Sequence, residues 1–225
     1  MTIAFGILLS ITMYGLAVMI NRRWNVSLTT PLLLTTVGII GFLLLFNIPH
    51  ESYFYGARFL IYLLPVATVC FAVPMYKQVS ELGRYKAAIL TSLIVGCIAS
   101  VATVAGVAWA FGLDEIIRNS LASVAVTTAI AIGITQELGG IVAITVFAVI
   151  ITGIFGNAIG PMAVRALGIK CGIAQGLAIG NSSHAMGTAK ALEMGPRQGA
   201  AASFAIVISG VATAILAPII LWIFG

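Results

Sequence analysis

Charged side chains are the scarcest feature of this sequence: Asp, Glu, Lys and Arg make up 8% of its 225 residues, with 6 acidic residues and 2 histidines. A soluble domain carries about 25% charged residues. At 61% hydrophobic residues and a mean hydropathy of +1.16, a water-soluble fold is excluded, and little mass is left for anything outside a membrane. Catalytic groupings are missing too. The chain has no nucleophile–base–acid set, no phosphate-binding glycine loop and no zinc-ligand spacing, so no enzyme, cofactor or metal site is expected. Its 3 cysteines, Cys70, Cys97 and Cys171, lie in or beside apolar runs without ligand spacing and read as packing residues. The net charge of +5 comes from basic residues scattered singly between apolar runs, which is the pattern of topogenic charge and not of a nucleic-acid surface.

What the chain does have is long apolar runs. A span needs about 20 mostly apolar residues, so the chain reads as an all-α polytopic protein of the cell membrane, one integral domain over 1–225, with seven or eight membrane segments and some broken helices. The first run, Ile3 to Ile20, lacks a preceding basic region and a small-residue cleavage site; it reads as a first span and not as a removed signal peptide. It ends in Arg22-Arg23, which belongs in the cytoplasm. A second run follows from Pro31 to Ile48. The third, Ala57 to Tyr76, contains Pro65 and Pro74, each of which removes a backbone donor, so this run should be kinked or unwound. Lys77, Arg84 and Lys86 then mark a cytoplasmic loop. The fourth run, Ala87 to Phe111, carries small residues including Gly96, Ala99, Ser100 and Thr103, suited to close helix packing.

Leu121 to Gln136 is short for a span. Were it a full crossing, Arg165 and Lys170 would face outward, against the charge rule; a re-entrant segment over 121–136 keeps them in the cytoplasm and is the favoured reading. Three runs remain: Ile141 to Ile159, Gly172 to Leu192 and Ala200 to Phe224. Two triplets of runs, 31–111 and 141–224, each have a broken middle member. They form a candidate inverted repeat of three-helix units, the arrangement in which paired interruptions mark a transporter's binding site.

The interruption in the second triplet is the polar stretch from Gly180 to Gly195. Glycines at 180 and 187 allow the helix to unwind, which frees backbone N–H groups, and a helix N-terminus beside the break suits a carboxylate. Asn181, Ser182, Ser183 and Thr188 add polar groups at the same level, and with Gly187 they make a candidate substrate site. His184 is the one histidine inside an apolar run. Its imidazole titrates near neutrality, so it is the candidate proton carrier; the alternative is a neutral histidine bonded to a backbone carbonyl. Ser123, Thr127 and Thr128 on the fifth segment, with Pro65 and Pro74 at the other break, complete the candidate set. Lys190 and Glu193 read as a helix-end pair. Asn25-Val26-Ser27 and Asn181-Ser182-Ser183 fit the glycosylation pattern but lie on the inferred cytoplasmic side and within an apolar run.

The stretch Gly180 to Gly195 resembles the signature of the LrgB/CidB family of membrane proteins, in which a Ser-His-x-x-Gly-Thr core precedes Ala-x-x-Glu. Leu64-Pro65 through Ala72-Val73-Pro74-Met75-Tyr76, and Ser123-Val124 with Thr127-Thr128, resemble the same family, so that nearly the whole chain is covered. Here Ala125 and Val126 stand between Val124 and Thr127, and Ala129 replaces the proline of the commoner form. The resemblance implies one of two functions. One is secondary transport of a small monocarboxylate such as pyruvate or glycolate, to which the reading of His184 above adds coupling to protons. The other is antiholin-like regulation of murein hydrolase activity and autolysis. For either, it implies a smaller LrgA/CidA-type membrane partner; a homo-oligomer within the lipid bilayer is also expected. The costly polar break in hydrocarbon favours transport.

Overall fold

The computed structural model describes residues 3–24 and 31–224, and all twelve elements among these residues are helices. Asn25 and Ser27 of the first glycosylation pattern lie outside the described residues. The chain divides into two compact units, Met1–Phe71 and Ala72–Gly225.

The first unit holds α1 (Ile3–Trp24), α2 (Pro31–Leu45), α3 (His50–Ile61) and α4 (Leu63–Cys70), with α1 packed on α2 and α3. Gly6 and Gly56 let the α1 and α3 backbones touch: a Cβ on Gly56 would stand 2.9 Å from Gly6 N. The Ser10 hydroxyl meets that of Tyr53 at 2.9 Å beside this crossing.

The second unit opens with the short helices α5 (Ala72–Lys77) and α6 (Val79–Arg84). Pro65 and Pro74 explain why no single helix runs through this region. Each sits in the third position of its short helix, where a missing N–H costs nothing, and each would collide with the carbonyl four residues earlier if the helix continued backwards. Those carbonyls belong to Ile61 and Cys70, the last residues of α3 and α4.

Next come α7 (Lys86–Ala110), α8 (Glu115–Leu121), α9 (Thr128–Glu137), α10 (Val142–Ala166), α11 (Gly172–Met194) and α12 (Pro196–Phe224). Among the described residues, four segments are long and apolar enough to cross a membrane: Ile3–Arg23, Lys86–Ala110, Val142–Ala166 and Pro196–Ile223. The last three frame the second unit.

Between them lie two helical hairpins. In the first, the non-helical stretch 122–127 that follows α8 is one arm and α9 is the other, with Ser123 Oγ 3.3 Å from Ala131 O. Asn119 Nδ2 donates to Leu138 O at 2.8 Å, Ile141 N donates to Ser120 Oγ at 2.7 Å, and Thr145 Oγ1 donates to Ser120 O at 2.8 Å. These bonds tie the end of α8 to the residues just past α9.

The second hairpin is α11 itself. Two residues inside it leave helical geometry, Ser183 (φ −136°, ψ 17°) and His184 (φ 43°, ψ −137°), and the chain reverses there. In a straight helix, residues 176 and 192 would be about 24 Å apart. Instead Gly176 lies against Gln198 and Ala201 while Leu192 lies against Gly199, so both arms stand beside the start of α12. This differs from the single crossing expected over Gly172 to Leu192. Each arm, 172–182 and 185–194, is only about 15 Å long, and neither can cross alone.

The two hairpins enter from opposite ends. Ile89 and Leu93 of α7 and Ala200, Ala201 and Ala205 of α12 cluster with Ile173 and Leu177 of the second hairpin. The far ends of the same helices, Val101 and Ala105 of α7 and Ala217, Ile220 and Leu221 of α12, cluster with Ala122, Val126, Ala131 and Ile134 of the first.

Candidate functional site

The tips of the two hairpins meet near the middle of the crossing helices. Cys97 lies midway along α7 and Ser209 midway along α12, and both donate to Asn181 Oδ1, Cys97 Sγ at 3.3 Å and Ser209 Oγ by a short bond. Asn181 is thus pinned from two sides. Its Nδ2 rests on Gly96, where a Cβ would overlap it. At the same level on α12, a Cβ on Gly210 would stand 2.6 Å from Ile130 Cδ1 of the first hairpin.

A cleft of about 460 Å³ opens at this meeting point. Asn181 and Ser182 line it from the second tip and Val124 and Ala125 from the first; Gly96, Ser100 and Thr103 of α7 and Thr152 of α10 form the walls. No charged side chain lines it among the described residues. Its volume falls in the range of small-ligand sites, about 300–1,000 Å³. The polar surface is made of hydroxyls and one carboxamide, groups that can donate or accept without carrying a buried charge.

The residues just past Ser182 have a different task. Ser183 and His184 are 2% and 3% exposed and are packed into α10. His184 Nε2 donates to Val149 O at 3.0 Å. Positive φ at a residue with a Cβ costs on the order of 1–3 kcal/mol and persists only where the surroundings hold it. Here α10 supplies the holding surface. Gly153 leaves room for the imidazole, since a Cβ there would stand 2.7 Å from His184 Cε1, and Gly156 leaves room for Ser183, whose Cβ and Oγ would overlap an added methyl. Asn157 Nδ2 donates to Met186 O at 3.0 Å and secures the second arm.

The remaining candidates are dispersed. Gly187 and Thr188 are buried in the second arm, Gly187 against Ile179 and Thr188 with no partner for its Oγ1 among the described residues. Gly180 stays helical and packs on Ala202, so neither flanking glycine is where the helix breaks. Ser123 is buried inside the first hairpin, with its Oγ 3.3 Å from Ala131 O and 3.4 Å from Thr135 Oγ1. Thr127 and Thr128 start α9 just beyond the tip. Pro74 lies in α5, which packs on α12, while Pro65 belongs to the first unit. Lys190 and Glu193 pair at 2.8 Å as a helix-end couple. Sequence reasoning missed Thr152, Ser209 and the Gly153–Gly156–Asn157 face. It took Gly96, Ser100 and Thr103 for a packing stripe, although their spacing by four and three places two hydroxyls on one helix face.

A family model described as the LrgB-like family matches residues 10–223. Proteins named antiholin-like protein LrgB from Bacillus mycoides (strain KBAB4), Bacillus cereus (strain B4264) and Bacillus anthracis (strain CDC 684 / NRRL 3495) are each 40% identical to this chain over 226 aligned positions, covering 100% of it and 98% of the relative. No solved structure matches it.

Proposed function

We propose, from the premise that this chain belongs to the LrgB-like family and is a multi-pass membrane protein, that it is a secondary carrier, or the larger subunit of one, for a small monocarboxylate such as pyruvate or glycolate. The observation that carries this reading is the uncharged cleft, with hydroxyls and a carboxamide set in a mostly apolar wall, where two opposed hairpin tips meet at mid-bundle. Backbone outside a helix is tolerated at membrane depth only where protein buries it or a cavity adjoins it, and helices that end at the midplane characterise secondary transporters.

On this reading both hairpins are re-entrant, with the loops at 112–114 and 138–141 on one face of the membrane and those at 167–171 and 195–196 on the other. Besides Lys77 of α5, six basic residues, Arg84, Lys86, Arg165, Lys170, Lys190 and Arg197, then gather with Glu193 at one end of the second unit, against Arg118 alone among Asp114, Glu115 and Glu137 at the other. The charge rule puts the basic end in the cytoplasm. A carboxylate in the cleft takes its donors from Ser100, Thr103, Thr152, Ser182 and the Asn181 amide, and α9 and the second arm of α11 both begin just beyond the tips, with their N-terminal partial charges directed to that level. His184 sits at the corner that positions Ser182 and is assigned the coupling proton. Rocking of one hairpin against the crossing helices supplies alternating access, and no enzymatic step is involved.

A second reading rests on the name of the relatives, antiholin-like protein LrgB: a regulator of autolysis that works with a small LrgA/CidA-type membrane protein. Self-association is compatible with both. The deciding experiment is uptake of labelled pyruvate or glycolate into proteoliposomes, with and without the small partner. The carrier reading expects faster uptake under an inward proton gradient and its loss in Thr152→Val. Uptake at the rate of empty vesicles under every condition would leave the regulator standing.

A further inference from the structure

We propose that the basic end of the second unit holds an anionic phospholipid, its phosphate among Arg84, Lys170 and Arg197 and its acyl chains along Ile89 and Leu177. Two cavities adjoin there, of about 540 Å³ and about 300 Å³, and both are lined by Tyr85 and Arg197. The smaller adds Ser80 and Arg84 and the larger adds Lys170 and Ser92, so three cations and three hydroxyl-bearing side chains line the adjoining pair. No acidic side chain lines either cavity among the described residues.

The depth of the larger cavity tells a lipid from a free anion. Apart from its cations, Tyr85, Ser92 and Cys171, its wall is apolar, made by Ala88, Ile89, Gly172, Ile173, Ala174 and Leu177. A free phosphate gains nothing from that surface and is penalised by losing water beside it. A phospholipid matches both parts, with an anionic head for the rim and hydrocarbon for the wall. Basic pockets between membrane helices on the cytoplasmic side recognise such head groups. The starts of α7, α11 and α12 all converge here, and their positive helix ends add to the attraction. The site lies at the base of the second hairpin, so an occupant braces the first arm of α11 against α7. The orientation in the membrane rests on the carrier model above, but the binding site itself does not: it stands equally for a regulator.

Native mass spectrometry of the purified full-length protein tests this, with phosphatidylglycerol, phosphatidylcholine and inorganic phosphate as probes. The wild type should retain phosphatidylglycerol at least about tenfold over phosphatidylcholine, on the basis of roughly fivefold per cation near the head group. Lys170→Gln and Arg84→Gln should each lower that preference about fivefold, and Ala88→Trp, which fills the apolar wall from an exposed position, should lower phosphatidylglycerol retention with the charges intact. Millimolar inorganic phosphate should displace none of it. Equal retention of the two lipids by the wild type overturns the proposal without recourse to any variant. So does displacement by inorganic phosphate, which would identify a soluble-anion site, and so does an unchanged preference in folded protein carrying both Arg84→Gln and Lys170→Gln.

Discussion

Gly156→Ala probes how the broken segment is held. Alanine at a helical position ordinarily gains about 1 kcal/mol over glycine, so on helix propensity alone the substitution should stabilise α10. Its methyl group would overlap the Cβ and Oγ of Ser183, and Cβ is fixed by the backbone, so no rotamer change relieves the clash. The tip must retreat from α10. Overpacking of this kind costs about 1–3 kcal/mol, and a retreating tip also strains or breaks the 3.0 Å bond from His184 to Val149, where loss of a buried partner costs about 1–3 kcal/mol. Subtracting the propensity gain leaves a net loss of roughly 1–5 kcal/mol. At about 2–4 °C per kcal/mol for a chain of this size, the melting temperature should fall by on the order of 10 °C. Gly160→Ala, one turn further along α10, is the matched control: its methyl would meet Ile179 Cγ1 at 3.4 Å, an ordinary contact, so it should be neutral or mildly stabilising. Adding Ser183→Gly to Gly156→Ala removes the colliding atoms and should recover about 1–3 kcal/mol of coupling. Thermal unfolding in one detergent, followed by tryptophan fluorescence, measures all four proteins. The packing argument is wrong if Gly156→Ala melts no lower than Gly160→Ala, or if Ser183→Gly restores nothing.

Other expectations follow from the same geometry. His184→Gly relieves the positive φ at the hairpin corner, about 1–2 kcal/mol, but loses the Val149 bond, about 1–3 kcal/mol, and the packing of the imidazole on α10; it should melt below the wild type, His184→Ala should melt lower still, and both should lose the response of uptake to a proton gradient. Asn181→Ala strands the Ser209 hydroxyl and removes the only carboxamide in the cleft, so it should cost about 1–3 kcal/mol in unfolding experiments and abolish substrate-dependent uptake. In a cysteine-free background, single cysteines at 171 and 197 should react with an impermeant thiol reagent from one side of the membrane and single cysteines at 113 and 138 from the other; reaction of 171 and 197 from opposite sides would show that α11 crosses.

Much of this architecture is legible in the residues, and the parts that are not have physical causes. The helix breaks near Pro65 and Pro74 could be anticipated because proline acts on a fixed neighbour, the carbonyl four residues back. The polar stretch after Gly180 announces an interruption because uncompensated polarity is costly in hydrocarbon. The reversal within it is hidden: it is made by a serine and a histidine, while the adjacent glycines serve close packing, and nothing local marks a histidine for positive φ. A length of 23 residues also suits a crossing. Charge did hold the missing signal. Lys170 before the segment and Arg197 after it are both basic, which a single crossing would place on opposite faces and a hairpin places together. The cleft was least legible, because its walls come from helices distant in sequence, and Ser100, Thr103 and Thr152 are ordinary hydroxyls until the second tip arrives beside them.

The opposed tips have a consequence for how such a protein seals a membrane. On the carrier reading, the barrier at its centre is a seam between two loop ends, each suspended from a different surface. A reagent applied on one side meets the roots of one hairpin only, so blocking that root leaves the other latch free to move. Inhibition from the two sides should therefore be additive and separable, a behaviour that a plug of continuous helices cannot imitate.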